Sequence, residues 1–372
     1  MRISEKQNIF CFEATERSSL GVFQKTLSVR VIFELSKSKY ILIEDTETKF
    51  LKSYREPSTI PFIKPKTEYI NFTNLFLTSQ PKLCSHLKLN LQDIPRVKTI
   101  TKEDFINNYF KPQKPVVIEH FIEDWPAYTK WNLDYIKKVA GDKTVPLYDD
   151  RPVDYKDGFN QAHAKMKMSD YVDLLQREPT RYRIFLWNIL KEVPQLQKDF
   201  KFPDFGLRLM KKLPMLFFGG RDSYTFMHYD IDFANIFHFH FEGKKQCILF
   251  DQNQNKYLYK VPHALITRED IDFSNPDFEK WPALKKAKGW ICDLNHGEVL
   301  YMPEGYWHYM RYITPGFSMS LRAIARNPKN LSKAIYNVFI MRNYDNLMRR
   351  LKRQKWIDWK NKKAITNTNR YI

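Results

Sequence analysis

The sequence predicts a mainly β chain with flanking helices, and three observations carry that prediction. The run DSYTFMHYDIDFANIFHFHFEGKKQCILF, from Asp222 to Phe250, alternates residue types as a half-buried strand does. Aromatic residues make up 15% of the chain, with 28 Phe and 21 Tyr against only 11 Gly, which suits an aromatic-lined β structure better than a phosphate-cradling loop. Helical spacing occurs on either side of this β region.

In order, residues 1–86 form an N-terminal extension whose role is not legible. Within it Leu27, Val29, Val31, Phe33 and Leu35 alternate, Ser36 to Lys39 break the pattern, and Tyr40 to Ile43 resume it, so a hairpin is expected. The main domain is expected over 87–328. Thr101 with Asp104 opens a short helix that turns Phe105 and Tyr109 inward, and Pro115 leads into the buried strand Val116-Val117-Ile118. A turn at Asp124-Trp125-Pro126 precedes a helix from Leu133 to Val139, with Trp125 and Trp131 as core aromatics. Met168 to Arg177 has helical spacing with Tyr171, Leu174 and Leu175 on its inner face. MLFFGG, Met215 to Gly220, begins the main β region of about 213–328, Pro262 to Leu284 is a polar connection, and FSMSLRAIAR, Phe317 to Arg326, is the closing strand. Residues 329–372 are a basic helical region, in which Ile335, Val338, Phe339, Met341, Leu347, Met348 and Leu351 recur at helical spacing.

The formal charge of +19 favours acidic partners, nucleic acid among them, with a solvated basic surface as the competing reading. Cys11, Cys84, Cys247 and Cys292 show no paired spacing, so free thiols in a reducing cytoplasm are expected. No stretch approaches the roughly 18 apolar residues of a membrane span, and the apolar run Ile9 to Phe12 is cut short at Glu13, so a cytoplasmic chain without membrane contact is expected.

Candidate chemistry gathers in two stretches. His228 and Asp230, two apart on a strand, project to one side and can reach one ion. His308, in GEVLYMPEGYWHYM (Gly297 to Met310), supplies a third ligand. Two imidazoles and one carboxylate on one face of an octahedral ion leave the opposite face open, the arrangement of oxygen-activating non-haem Fe(II) enzymes. A dicarboxylate co-substrate at the open positions needs a cation at its far end, and Lys244 and Lys245 are both candidates. His238 and His240 form a second His-x-His, read as pocket lining or sheet packing with His240 nearer the substrate, while His120, His163, His263 and His296 read as ordinary polar or packed residues. Tyr301, Tyr306 and Trp307 read equally as pocket wall or as core.

The motifs HYD, EGKKQCILF, IDFSNPDFEKWP (Ile271 to Pro282) and GEVLYMPEGYWHYM, in order between Leu89 and Pro328, resemble the cupin-type JmjC oxygenases, in particular those that hydroxylate an asparaginyl residue of hypoxia-inducible factor. The resemblance implies a double-stranded β-helix (cupin or jelly-roll) core with an N-terminal α/β region and C-terminal helices. It further implies Fe(II), 2-oxoglutarate as co-substrate, and hydroxylation of a protein side chain. Position by position, His228, Asp230 and His308 match the iron ligands, Thr225 and Lys245 match contacts to the distal carboxylate of 2-oxoglutarate, and Asn235 resembles an asparagine near its other end. Arg322 matches a polar group beside the co-substrate, with a structural salt bridge as the alternative. Two departures stand out. The spacing from His228 to Lys245 is longer than in that family, which requires a bulge or a shifted register, or else Lys244 as the substitute. Phe185, in YRIFLWNIL, stands where a co-substrate-binding tyrosine is expected. Related hydroxylases dimerise through terminal helices, so a homodimer is expected. A protein substrate comes first and a modified tRNA base second, the basic tail Arg349 to Lys363 with Trp356 and Trp359 being a candidate nucleic-acid contact. Lysine demethylation ranks lower for want of an accessory zinc cluster, and a non-catalytic metal-binding cupin scaffold is the alternative of a different class.

Overall fold

The computed structural model describes residues 8–17, 24–34, 39–45, 88–151, 154–156 and 161–372. The chain divides into two compact units, Met1–Lys82 and Leu83–Ile372. In the first, the expected hairpin falls on Gln24–Glu34 and Lys39–Asp45, which pair antiparallel, and a further strand, Asn8–Arg17, pairs on the other side of Gln24–Glu34.

The second unit is built on two sheets. One has seven strands in the order Arg96–Val97, Val116–Ile118, Val299–Met302, Asn235–Glu242, Gly316–Ala323, Met215–Gly219, Arg183–Asn188. The other has five, in the order Tyr224–His228, Trp307–Tyr312, Lys245–Phe250, Lys288–Leu294, Asn90–Asp93. From Met215 to Ala323 the chain passes back and forth between the two, giving the double-stranded β-helix of a cupin. Period-two alternation decides what faces where. Phe237, Phe239 and Phe241 face outward from the seven-stranded sheet and pack on Trp125, Trp131 and Phe105, which come from the segments before the barrel. Ile236 faces the interior with Cys247, Leu249, Leu300 and Met310, which come from both sheets. A third cluster, with Phe250, Trp307 and Tyr309, covers the outer face of the five-stranded sheet beneath the Leu258 to Leu284 connection.

The flanking helices form where capping and spacing place them. Thr101 Oγ1 accepts from Asp104 N at the start of Lys102–Phe105, and Asn132 caps Leu133–Ala140 in the same way. On Met168–Arg177 the buried residues are Met168, Tyr171, Val172 and Leu175; Val172 takes the inward place expected for Leu174. Tyr301, Tyr306 and Trp307 are buried in the packing clusters, and Trp307 Nε1 and the Tyr306 hydroxyl are used on Asn255 and Gln113. They are core rather than cavity wall.

The C-terminal helices, Pro328–Tyr336, Arg342–Lys352 and Gln354–Thr368, belong to the same unit as the barrel. Asp345 ties the last two together, accepting from Lys360 Nζ at 2.7 Å, Trp356 Nε1 at 2.8 Å and Arg349 Nε at 2.8 Å. This corrects the reading of Trp356 as a stacking platform. It is buried, leaving Trp359 alone exposed of the pair. Among the described residues no helix is long and apolar enough to cross a membrane.

Candidate active site

His228 ends the Tyr224–His228 strand and lies directly opposite His308 on Trp307–Tyr312, so the sheet register itself brings the two imidazoles together, ring centroids 4.0 Å apart. Asp230 follows two residues on, and one ligand atom from each of the three lies within 4.8 Å of the others. His228 Nδ1 is hydrogen-bonded to the Phe226 carbonyl at 2.8 Å and His308 Nδ1 to the Tyr306 carbonyl at 3.1 Å. Those bonds fix the tautomer and leave Nε2 of each ring as the ligand atom. Burial pushes the His228 imidazole down to about 3, with His308 adding to the shift, and burial likewise lowers His308, so both rings are neutral, as a metal requires. For Asp230 burial opposes ionisation, but the Arg322 guanidinium, through its charge and its hydrogen bond, is the largest influence holding the carboxyl below its ordinary value. Arg322 binds Asp230 Oδ2, leaving Oδ1 for an ion. The donor set therefore fits a divalent transition metal bound by two nitrogens and one oxygen.

Arg322 thus takes its structural alternative. It lines the cavity, but its charge is used on Asp230 and, at 3.5 Å, on Asp232 rather than held for a co-substrate. Asn235 is also elsewhere than expected. It lies on the outward face of its strand with Phe237, donating to Glu304 at 3.2 Å and accepting from the Tyr301 hydroxyl at 2.8 Å, away from the cavity. The period-two rule that points Ile236 and His238 inward points Asn235 out.

The triad lines a cavity of about 370 Å³ between the sheets, and Lys245 and Thr225 line it too. Lys245 is 1% exposed, whereas Lys244 is half-exposed and paired with Asp293 at 2.9 Å, so Lys245 is the lysine that reaches the cavity. The extra residues between His228 and Lys245 are absorbed by a bulge, a register shift between His240 and Glu242 against the closing strand. Gly243 then turns the chain at φ +82°, where a Cβ would stand 2.3 Å from the Pro315 carbonyl oxygen.

Lys245 Nζ donates to Ser318 Oγ at 2.8 Å and to His238 Nε2 at 3.0 Å, and sits 4.1 Å over the Tyr312 ring. Of the second histidine pair, His238 lines the cavity, while His240 is used on Ser318 Oγ and the Gly243 carbonyl; the expectation that His240 lies nearer the substrate is reversed. With no carboxylate beside it among the described residues, Lys245 is pushed down to about 7 by burial.

Phe185 lines the cavity with its ring 4.1 Å from that of Tyr148. Arg183, two residues earlier, also lines it, buried, and donates to Thr225 Oγ1 at 2.8 Å. His163 and His263, read as ordinary, both line the cavity, and the C-terminal region contributes Met341, Arg342, Asp345, Asn346 and Arg349. Sequence reading missed Arg183 and the lining role of the C-terminal helices. The available signal was a lone arginine in the otherwise apolar strand RIFLW.

Residues 102–349 match the family of cupin-like domains. The chain is similar to Lysine-specific demethylase 8 from Xenopus tropicalis, 27% identical over 234 residues that cover 61% of this chain and 52% of that protein. It is 30% identical over 251 residues to Jumonji C domain-containing protein 5 from Drosophila melanogaster, covering 61% and 59%. It is 27% identical over 237 residues to tRNA wybutosine-synthesizing protein 5 from Homo sapiens, covering 58% and 72%. The chain spans just over half the length of the demethylase-named relatives. Matched over two thirds of its length and carrying the His-Asp-His cluster inside the double-stranded β-helix, the chain belongs to the cupin-like JmjC family, which uses Fe(II) and 2-oxoglutarate.

Proposed function

We propose that this chain is an Fe(II)- and 2-oxoglutarate-dependent oxygenase that hydroxylates a C–H bond, with a protein side chain as the favoured substrate. The observation that supports it is the pairing, in one cavity, of a neutral two-imidazole, one-carboxylate cluster with a buried lysine that has no carboxylate beside it among the described residues. When bound, the metal and its co-substrate supply the oxidation of the C–H bond, with succinate and carbon dioxide as by-products. The protein's part is positional. His228, Asp230 and His308 hold one face of the ion, and Arg322 keeps Asp230 ionised. Lys245 and Thr225 receive the distal carboxylate of the co-substrate, and the two sheets exclude water from the space between. Hydroxylation of an N-methyl carbon is also how a lysine demethylase would act, so the relatives so named fit the same chemistry. The test is succinate formation from 2-oxoglutarate in the presence of candidate peptides, with mass spectrometry for a gain of one oxygen or loss of a methylene unit.

A tRNA substrate is the second reading, favoured by the +19 charge and by the relative named for wybutosine synthesis. Substrate capture in rising salt separates the two, since phosphate-dominated binding weakens steeply.

We also propose a homodimer through the C-terminal helices. Leu331, Ile335, Phe339, Leu347 and Leu351 form an apolar face there, with Phe339 67% and Leu351 68% exposed.

A further inference from the structure

Arg183 is 5% exposed and lines the same cavity as Lys245. Its Nη1 donates to Thr225 Oγ1 at 2.8 Å, its Nη2 to the Asp149 carbonyl at 3.0 Å, and its buried Nε has no partner among the described residues. Asp150, whose charge reaches Arg183 at longer range, is itself paired with Arg181. Among the described residues, no carboxylate lies within ion-pair reach of Arg183 or Lys245. Tyr312 lies near both, with Lys245 over its ring and Arg183 close enough for the tyrosine to influence its charge. Two buried basic side chains share this end of the cavity with no countercharge among the described residues, an arrangement that is costly when empty and favourable once an anion arrives.

We propose that Arg183 is a second cationic contact for the distal carboxylate of the co-substrate, acting with Lys245 and Thr225, and so a determinant of specificity for a 2-oxo dicarboxylate over a 2-oxo monocarboxylate. This rests on the oxygenase reading above. The guanidinium donates to Thr225 Oγ1, which leaves the threonine O–H free to donate onward, so one carboxylate receives a planar donor, a hydroxyl and an ammonium. It also accounts for Phe185: the polar contact expected there comes from Arg183 on the same strand.

The test is calorimetric binding to the Mn(II)-loaded full chain, which does not turn over, of 2-oxoglutarate and of 2-oxopentanoate, the same five-carbon 2-oxo acid without the distal carboxylate. Arg183→Met is expected to weaken 2-oxoglutarate about tenfold or more and to leave 2-oxopentanoate unchanged. Ligand-free, the variant is expected to melt no lower than the parent, because an uncompensated buried charge has been removed, and to gain less melting temperature from 2-oxoglutarate. A folded Arg183→Met chain that keeps the full preference for the dicarboxylate overturns the proposal, as does a ligand-free loss of melting temperature with unchanged binding, which marks a structural arginine. Should Arg183→Met not fold, Arg183→Lys takes its place. It keeps the charge but not the fork, and a several-fold loss supports the proposal while unchanged binding overturns it. If the parent chain binds no 2-oxoglutarate, the oxygenase reading falls and this inference with it; a binding parent with an indifferent variant sinks the inference alone.

Discussion

Lys245 shows how one side chain couples burial to ligand binding. Its ammonium is pushed down to about 7 by burial, facing His238, Tyr312 and Cys247 but no carboxylate among the described residues. Between about 7 and its unfolded value the unfolded chain holds a proton that the folded chain does not, so this group makes the empty protein more stable as pH rises through that window. A bound carboxylate reverses the balance and recharges the amine. At pH 8, binding of 2-oxoglutarate is therefore expected to take up close to one proton, measured as the dependence of calorimetric enthalpy on buffer ionisation heat, and Lys245→Met is expected to abolish the uptake. Uptake that persists in the variant would place the titrating group elsewhere. Arg322 carries a second expectation at this scale. Arg322→Met leaves the partly buried Asp230 without its guanidinium and is expected to destabilise the metal-free protein by about 3 kcal/mol, read by chemical denaturation. It also lets the carboxyl protonate at higher pH, so Mn(II) affinity should fall more steeply than in the parent between pH 8 and 6. The His228–Asp230 pair was legible because it depends only on residue type and a spacing of two, and His308 through the separate motif GEVLYMPEGYWHYM. Arg183 was not, because its significance lies in its having no carboxylate partner among the described residues, which only packing reveals.

Among the elements, the Asn235–Glu242 strand and the turn after it position the co-substrate lysine. The bulge before Glu242 and the left-handed Gly243 together place Lys245 in the cavity and Lys244 outside. Gly243→Ala is expected to cost about 1–3 kcal/mol from the backbone alone and more from the Pro315 contact, and to weaken 2-oxoglutarate binding, measured by denaturation and calorimetry on the same variant. From sequence the excess spacing was visible, but the place where the strand absorbs it was not, and the assignment of Asn235 failed for a related reason: which face a residue occupies depends on register, and register depends on the partner strand. The C-terminal helices carry the other prediction at this scale. Phe339→Glu with Leu347→Glu is expected to turn a dimer into a folded monomer by light scattering after size exclusion; a parent chain already monomeric at high concentration would refute the proposed interface.

For the molecule as a whole, the C-terminal region is part of the site rather than an appendage. It was expected as a dimerisation or nucleic-acid tail, and its helical spacing was readable. Nothing in that spacing showed that Met341, Asp345 and Arg349 would reach the cavity, or that Trp356 and Lys360 would be consumed by Asp345. The double-stranded β-helix itself was legible through ordered motifs between Leu89 and Pro328, because strands that cross repeatedly between two sheets need their turns and ligands in a fixed order. The central claim is that this assembly holds Fe(II) on one face and chelating 2-oxoglutarate on the other. The most direct measurement is an anaerobic absorption titration of the metal-free protein with Fe(II) and then 2-oxoglutarate. A visible metal-to-ligand charge-transfer band is expected in the parent, lost in Asp230→Ala and weakened in Lys245→Met. Folded, Fe(II)-loaded protein that develops no band with 2-oxoglutarate would contradict the account and leave a metal-binding scaffold in its place.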